Sequence, residues 1–143
     1  MFQIGERILL TLWVGGLWTV GYIVVPVLFK TLDDRMLAGN LAGQMFTVMS
    51  YIGIVCALFL IIGQYLQTPV LNNWRLWVLL VMLGIVVVGQ FVLQPMMAEL
   101  KSVGLEGETA KQFGKLHGVA SILFLMNSIA GLALVITGLS AQE

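Results

Sequence analysis

Charged residues divide the chain into four long uncharged stretches. The stretches cover residues 8–29, 36–74, 76–98 and 116–142, and the seven acidic and seven basic side chains lie between them or at the chain ends. A helix that crosses a bilayer needs about 20 mostly apolar residues, because the hydrocarbon core is about 30 Å thick. Each stretch meets this length. The pattern therefore predicts an all-α membrane protein with four transmembrane helices in a bundle.

Prolines and polar clusters set the expected limits of the spans. Pro26 and Pro95 lie near the ends of spans one and three, where a proline kinks or ends a helix. Span two opens on glycine and polar residues, so we predict an amphipathic segment before it. The chain then forms a single membrane domain, residues 1–143, with spans at about 5–29, 45–66, 74–100 and 109–139.

The basic residues of the short loops predict the orientation. Two lie with the chain termini, Arg7 and Arg75, and five lie with the two other loops, namely Lys30, Arg35, Lys101, Lys111 and Lys115. Loops rich in lysine and arginine stay in the cytoplasm. We therefore expect both termini on the outer side.

Composition narrows the class of protein. The chain is 59% hydrophobic and 10% charged, whereas soluble domains carry about 25% charged residues. The net charge is zero, so no basic surface indicates a nucleic-acid partner. Cys56 is the single cysteine, which excludes an intrachain disulfide.

A faint internal repeat relates the two halves. Leu12-Trp13 opens span one and Leu76-Trp77 opens span three, and a proline lies near the end of each. The halves would then be two similar helical hairpins. Chance similarity between apolar helices is the alternative interpretation.

Glycines indicate where helices approach closely. Gly15 and Gly16 are adjacent in span one, and Gly114 and Gly118 are four residues apart at the start of span four. Small residues let membrane helices pack closely. We expect these four to pack within the bundle, with a dimer interface as the alternative.

Few polar side chains lie within the spans, and several share a depth. His117 and Ser121 are four residues apart on span four, Gln94 lies at the end of span three, and Gln44 and Thr47 lie early in span two. An ionisable residue in a span is a functional hypothesis by default. We predict a polar pocket of these five residues, open toward the cytoplasm. A purely structural hydrogen bond of His117 is the alternative.

Catalytic and metal-binding patterns are missing. One histidine cannot supply paired axial haem ligands or a histidine-rich metal site. No acid lies within a span to complete a serine–histidine–acid set, and no phosphate-binding loop is present. The sequence thus gives no catalytic or metal-ligating residue.

Several short motifs resemble the transmembrane protein 205-like family, which includes small bacterial four-span proteins of unknown function. They are LWVGGLW at 12–18, PVLF at 26–29, LAGQMF at 41–46, QP at 94–95 and FGKLHGVAS at 113–121. The resemblance implies a four-helix bundle in the bacterial inner membrane, with periplasmic termini in the orientation above. More distantly, the chain is similar to copper-resistance D-like proteins and membrane protoporphyrinogen oxidases. In the latter enzymes, a histidine in the first span and a lysine in a later one matter. This chain has no histidine in span one, and its lysines lie outside the four uncharged stretches.

Three functions remain open. The preferred one is a non-enzymatic accessory, assembly or stress-related factor that needs no cofactor. It would act in the lipid bilayer through a larger membrane complex, a homo-oligomer or a lipid-like ligand. The second is a haem-, tetrapyrrole- or metal-linked redox protein that uses His117 to bind the cofactor. The third is a small transporter or channel subunit.

Overall fold

Four long helices make up the fold. The computed structural model describes residues 2–67 and 73–140. The helices are α1 at residues 2–31, α2 at Arg35–Gln67, α3 at Trp74–Val103 and α4 at Gly107–Ser140. Each is long and apolar enough to cross a membrane, and only 22% to 33% of its most apolar window is buried. Most of that apolar surface faces outward, as lipid contact requires. The all-α, four-span prediction is confirmed.

Helix α2 begins at Arg35, ten residues before the predicted start of span two. Asp34 caps it, since its Oδ1 accepts the N–H groups of Met36 and Leu37 at 2.8 and 3.1 Å. Ala38 and Ala42 are buried, so the first turns of the helix pack against the rest of the bundle. The segment we expected to lead into the span is therefore its first part. The predicted turn after this span falls largely on residues 68–72, which lie outside the described residues.

Two glycines mark the two ends of the connection between α3 and α4. Gly104 and Gly107 have φ angles of 106° and 52°, which side-chain-bearing residues rarely adopt. The hydroxyl of Thr109 accepts the N–H of Glu106 at 3.0 Å and fixes the entry into α4. Helix α3 consequently extends to Val103, and α4 starts at Gly107.

A π-helical segment precedes each of the two predicted kink prolines. Thr19–Val24 precedes Pro26 in α1, and Gly89–Leu93 precedes Pro95 in α3. A proline has no N–H group and its ring clashes with the carbonyl four residues earlier. The wider π turn relieves this clash, and the N–H of the residue before each proline bonds a carbonyl five residues back. The same π-helical segment before both prolines supports the interpretation of two similar hairpins.

The helices close into a ring in chain order. Each packs against the next, and α4 packs against α1, so α2 and α4 lie diagonally. We call the end with loops 32–34 and 104–106 the loop end, and the opposite end the termini end. At the loop end, residues 25–31 pack on α2 and residues 94–103 pack on α4. The backbones of the α1–α2 and α3–α4 hairpins seldom approach each other there.

The hydrophobic core lies between the middle of the bundle and the termini end. Trp13 from α1 and Met82 from α3 are fully buried, and Leu134 from α4 is 2% exposed. Glycines admit these large side chains. A Cβ at Gly53 would lie 2.5 Å from the Trp13 indole nitrogen, and one at Gly131 would lie 2.8 Å from a Val14 methyl. This tight region holds the two hairpins together.

Candidate functional site

Side chains bridge the two hairpins at the loop end. Lys101 Nζ on α3 donates to Asn40 Oδ1 on α2 at 3.2 Å, and it lies 5.6 Å from the ring centroid of Phe113 on α4. One turn or two deeper, Gln94 Nε2 donates to the carbonyl of Gly43 at 3.5 Å. We call Asn40, Gly43, Gln94, Lys101 and Phe113 the loop-end junction. It is the most polar point of contact between the hairpins at this end.

The ammonium group of Lys101 lies at the loop end of the bundle, between α2 and α4. It contacts residues of α2 and of α4, which are diagonal helices, so it is directed inward over the bundle axis. Within the described residues, the ion pairs are Glu6–Arg75 and Glu108–Lys111. No carboxylate of those residues therefore lies within ion-pair distance of Lys101. Lys101 is therefore the candidate position for an anionic ligand at this end of the bundle.

Two residues of the predicted polar pocket lie at or beside this junction. Gln94 is half-buried, and Thr47 Oγ1 donates at 3.0 Å to the Gly43 carbonyl, which also accepts from Gln94. Gln44 is exposed on α2. The structure thus brings Gln94 and Thr47 to one acceptor and leaves Gln44 outside it.

His117 and Ser121 lie on an exposed face of α4. Ser121 Oγ donates to the backbone carbonyl of His117 at 2.8 Å, and both side chains are exposed. The imidazole stacks on Phe113, with ring centroids 6.1 Å apart and an interplanar angle of 11°. His117 therefore reaches the loop-end junction only through Phe113. The five predicted residues do not gather in one pocket.

The buried residues of α4 lie deeper in the bundle than His117. They include Asn127, Ser128, Gly131 and Leu134, and at 100° per residue His117 lies on the same side of the helix, about 20° from Ser128. Asn127 and Ser128 are each 2% exposed, and Asn127 Oδ1 and Ser128 Oγ have no hydrogen-bond partner. Asn127 and Ser128 therefore both face the interior of the bundle.

A second polar cluster, which sequence reasoning missed, lies at the termini end. Glu6 pairs with Arg75 at 3.2 Å, and Gln64 Nε2 donates to Glu6 Oε2 at 3.2 Å. Asn73 Nδ2 donates to Gln64 Oε1 at 3.0 Å, and its own oxygen caps α3. The cluster joins α1, α2 and α3. Opposite charges on Glu6 and Arg75 at matching depth were the signal for it.

The glycines that allow close packing differ from most of those predicted. Gly16 would place a Cβ 2.5 Å from Met49 Cε, so it belongs to a tight contact. Gly15, Gly114 and Gly118 have open space where a Cβ would lie. In this structure these three glycines make no close contact at their Cβ positions, and their role in helix packing stays a prediction. Close approach instead occurs at other glycines, namely Gly21, Gly53 and Gly131.

The chemistry available at the loop-end junction is that of binding. It has one ammonium group, two side-chain amides and an aromatic ring. In the part of the chain that the structure describes, no three His, Cys, Asp or Glu side chains are grouped to hold a metal ion. The junction can donate hydrogen bonds to an anionic or polar group and can stack an apolar one.

Comparison with known families adds one finding. Residues 8–106, which include most of α1 and all of α2 and α3, match the domain of unknown function DUF4149. The chain belongs to the DUF4149 family. No curated protein and no solved structure matches the chain. The DUF4149 match agrees with the expected membrane family of unknown function, although it carries a different name from the one that the motifs suggested. It includes Asn40, Gly43, Gln94 and Lys101 and ends before His117.

Proposed function

We propose that the protein is a non-catalytic accessory factor of the bacterial cytoplasmic membrane that acts through a lipid-like ligand. The observation that carries this proposal is the loop-end junction, where two hairpins meet by side chains instead of packed backbones. A chain-like molecule from the bilayer would lie between α2 and α3, which at this level are joined through side chains such as Gln94 and Lys101. Phe91 and Met96 of α3 are exposed at this level, and they offer the apolar surface that such a molecule needs.

The polar contacts of the junction favour a ligand over a purely structural lock. A lock between hairpins is strongest where both partners are buried. Here Asn40 is exposed and the Gln94 hydrogen bond is long, at 3.5 Å. Such contacts exchange easily with a ligand that offers better acceptors. The tightly packed core toward the termini end keeps the fold intact while this exchange occurs.

Lipid retention tests the proposal. We expect the protein, purified in a mild detergent and washed extensively, to retain lipid that mass spectrometry detects. Gly43→Leu should lower the retained amount, because a Cβ there would lie 3.8 Å from Gln94 Oε1 and a larger side chain would fill the junction. Gly84→Leu is the matched control, since nothing lies within 4 Å of its Cβ position. Wild-type protein free of lipid would refute the proposal.

The haem, tetrapyrrole or metal-linked alternative depends on His117. Its imidazole is exposed and stacked on Phe113, so a ring nitrogen is accessible from outside the bundle. His117 would then hold the cofactor against the outer face of α4. A Soret absorbance band of the purified protein that His117→Ala abolishes would support this alternative, and a colourless protein reconstituted with haem would refute it.

The transporter or channel alternative needs a continuous polar path through the bundle. Buried polar atoms occur in the middle of α4, at Asn127 and Ser128. Trp13, Met82 and Leu134 fill the core between them and the termini end. This closed core weighs against a path. Ion flux through liposomes that contain the pure protein would reverse that judgement.

A further inference from the structure

The loop-end junction has the donors of an anion site. Lys101 has three N–H donors, of which Asn40 Oδ1 accepts one. Because an ammonium group only donates, the Asn40 oxygen must face Lys101, and the amide nitrogen of the same side chain then lies next to it. The remaining Lys101 donors and the two N–H groups of this amide are the hydrogen-bond donors that an anion would meet at the loop end.

The surroundings leave the charge of Lys101 unneutralised. No carboxylate of the described residues pairs with it. The loop end as a whole has five basic and five acidic residues from Lys30 to Lys115, so it provides no general attraction for anions. Any preference for an anion must therefore come from Lys101 itself. That makes the site testable by a single substitution.

The depth of the site selects the source of the anion. Lys101 lies two residues before α3 ends at Val103. Helix α3 spans 30 residues, which at 1.5 Å per residue is about 45 Å and exceeds the hydrocarbon thickness of about 30 Å. The end of α3 therefore lies at the level of the lipid head groups. A phosphate of a phospholipid is the anion present at this level in high concentration.

We propose that the loop-end junction binds the phosphate of an anionic phospholipid, with Lys101 and the Asn40 amide as its donors. This inference rests on the proposed function and adds the charge of the ligand to it. The acyl chains would lie along the outer surface of α3, where Val92 and Met96 are exposed. Phe113 packs under the ammonium group and holds it toward the phosphate.

Native mass spectrometry of the full-length protein tests this site. The protein is titrated with phosphatidylglycerol and, separately, with phosphatidylcholine of the same acyl chains. We expect wild-type protein to bind phosphatidylglycerol more tightly. A lysine near a membrane surface contributes about 1 kcal/mol to anionic lipid binding, so Lys101→Gln should weaken phosphatidylglycerol binding about fivefold. Lys101→Arg should retain most of it.

Matched controls separate this site from general surface charge. Lys111 lies at the same end, is exposed and pairs with Glu108 at 3.7 Å. Lys111→Gln should bind phosphatidylglycerol like the wild-type protein. Inorganic phosphate, added at millimolar concentration, should not displace the lipid. If it does, and binds with the same dependence on Lys101, the site takes free phosphate and the lipid assignment is wrong.

The outcomes distinguish the two proposals. If the protein binds neither lipid above the level of detergent exchange, both fail. If it binds lipid but without preference for phosphatidylglycerol, or equally well as Lys101→Gln, only the phosphate site fails. If Lys101→Gln does not fold, the comparison of the two lipids on wild-type protein and on Lys101→Arg decides. A lack of preference in both would then refute the site.

Discussion

Substitution of Gly53 by alanine should destabilise the bundle through a clash with Trp13. The new methyl would lie 2.5 Å from the indole nitrogen and 3.1 Å from two ring carbons. Trp13 is fully buried, so its ring cannot retreat into solvent. Overpacking of this kind typically costs about 1–3 kcal/mol. Alanine returns at most about 1 kcal/mol through its better helix propensity. The net loss of unfolding free energy should be about 1–2 kcal/mol.

A double-mutant cycle shows whether the clash is the cause. Gly53→Ala should cost less in a Trp13→Phe background, because the smaller ring leaves space for the methyl. Residues in contact show coupling of about 0.5–3 kcal/mol, and this pair should fall in that range. Unfolding in mixed detergent micelles, followed by circular dichroism, measures all four proteins.

Two matched glycines serve as controls for the same experiment. Gly15→Ala and Gly118→Ala have nothing within 4 Å of the new Cβ. Each should equal the wild-type free energy of unfolding or exceed it by up to about 1 kcal/mol, because only the gain in helix propensity acts there. If Gly53→Ala were as stable as these controls, or if the cycle gave no coupling, the packing of Trp13 against α2 would be refuted.

Three further predictions concern other parts of the bundle. Glu6→Gln should lower the unfolding free energy by about 1–3 kcal/mol, since it leaves Arg75 partly buried without its carboxylate; equal loss in an Arg75→Gln background would show that the ion pair is not the cause. Ser128→Ala should leave thermal stability unchanged or raise it, because the Ser128 hydroxyl is buried without a hydrogen-bond partner, and a clear loss would reveal a partner. Cysteines at Thr31 and Ser102 should resist a membrane-impermeant thiol reagent in intact cells and react after permeabilisation, whereas labelling of both in intact cells would reverse the proposed orientation.

The spans could be predicted from the sequence because charge and proline decide them directly. A charged residue is costly within hydrocarbon, so the uncharged stretches mark the helices. The start of α2 could not be predicted in the same way. Its first turns include Asn40 and Gln44, which are exposed, while small Ala38 and Ala42 face the bundle. Small residues give a weak hydropathy signal, so the sequence predicts an amphipathic segment here and not the first part of the span.

At the candidate site, the sequence did not predict which residues of α4 face the interior of the bundle. The helix is apolar all round, so no hydrophobic stripe distinguishes the inner face from the lipid face. In the sequence, the polar residues His117 and Ser121 are therefore the available markers of the inner face. The structure buries Asn127 and exposes those two. Glycine spacing likewise does not tell which face of a helix a glycine occupies.

The junction itself needed the tertiary structure. Lys101 lies just beyond the predicted end of span three, so in the sequence it serves only as a basic loop residue that indicates the orientation. Helix α3 continues to Val103, and this extension brings the lysine over Asn40 and Phe113. No periodicity in the sequence indicates such a meeting of three helices. The prediction that Gln94 is a site residue is the part that lies nearest the junction.

The central claim is that the two hairpins share one core in which α4 returns against α1. A Cβ at Gly131 would lie 2.8 and 3.2 Å from the two Val14 methyl carbons. In a disulfide, the sulfur of one cysteine lies about 3 Å from the Cβ of the other, so this pair has suitable geometry. The direct test is disulfide formation in native membranes by a Val14→Cys, Gly131→Cys protein that also has Cys56→Ala.

We expect rapid cross-linking within one chain, seen as a mobility shift without dimer formation. A control with Ile129→Cys in place of Gly131→Cys should not cross-link, because Ile129 is 60% exposed on the outer face of α4. Absence of the Val14–Gly131 disulfide, or its formation only between two chains, would contradict the bundle described here.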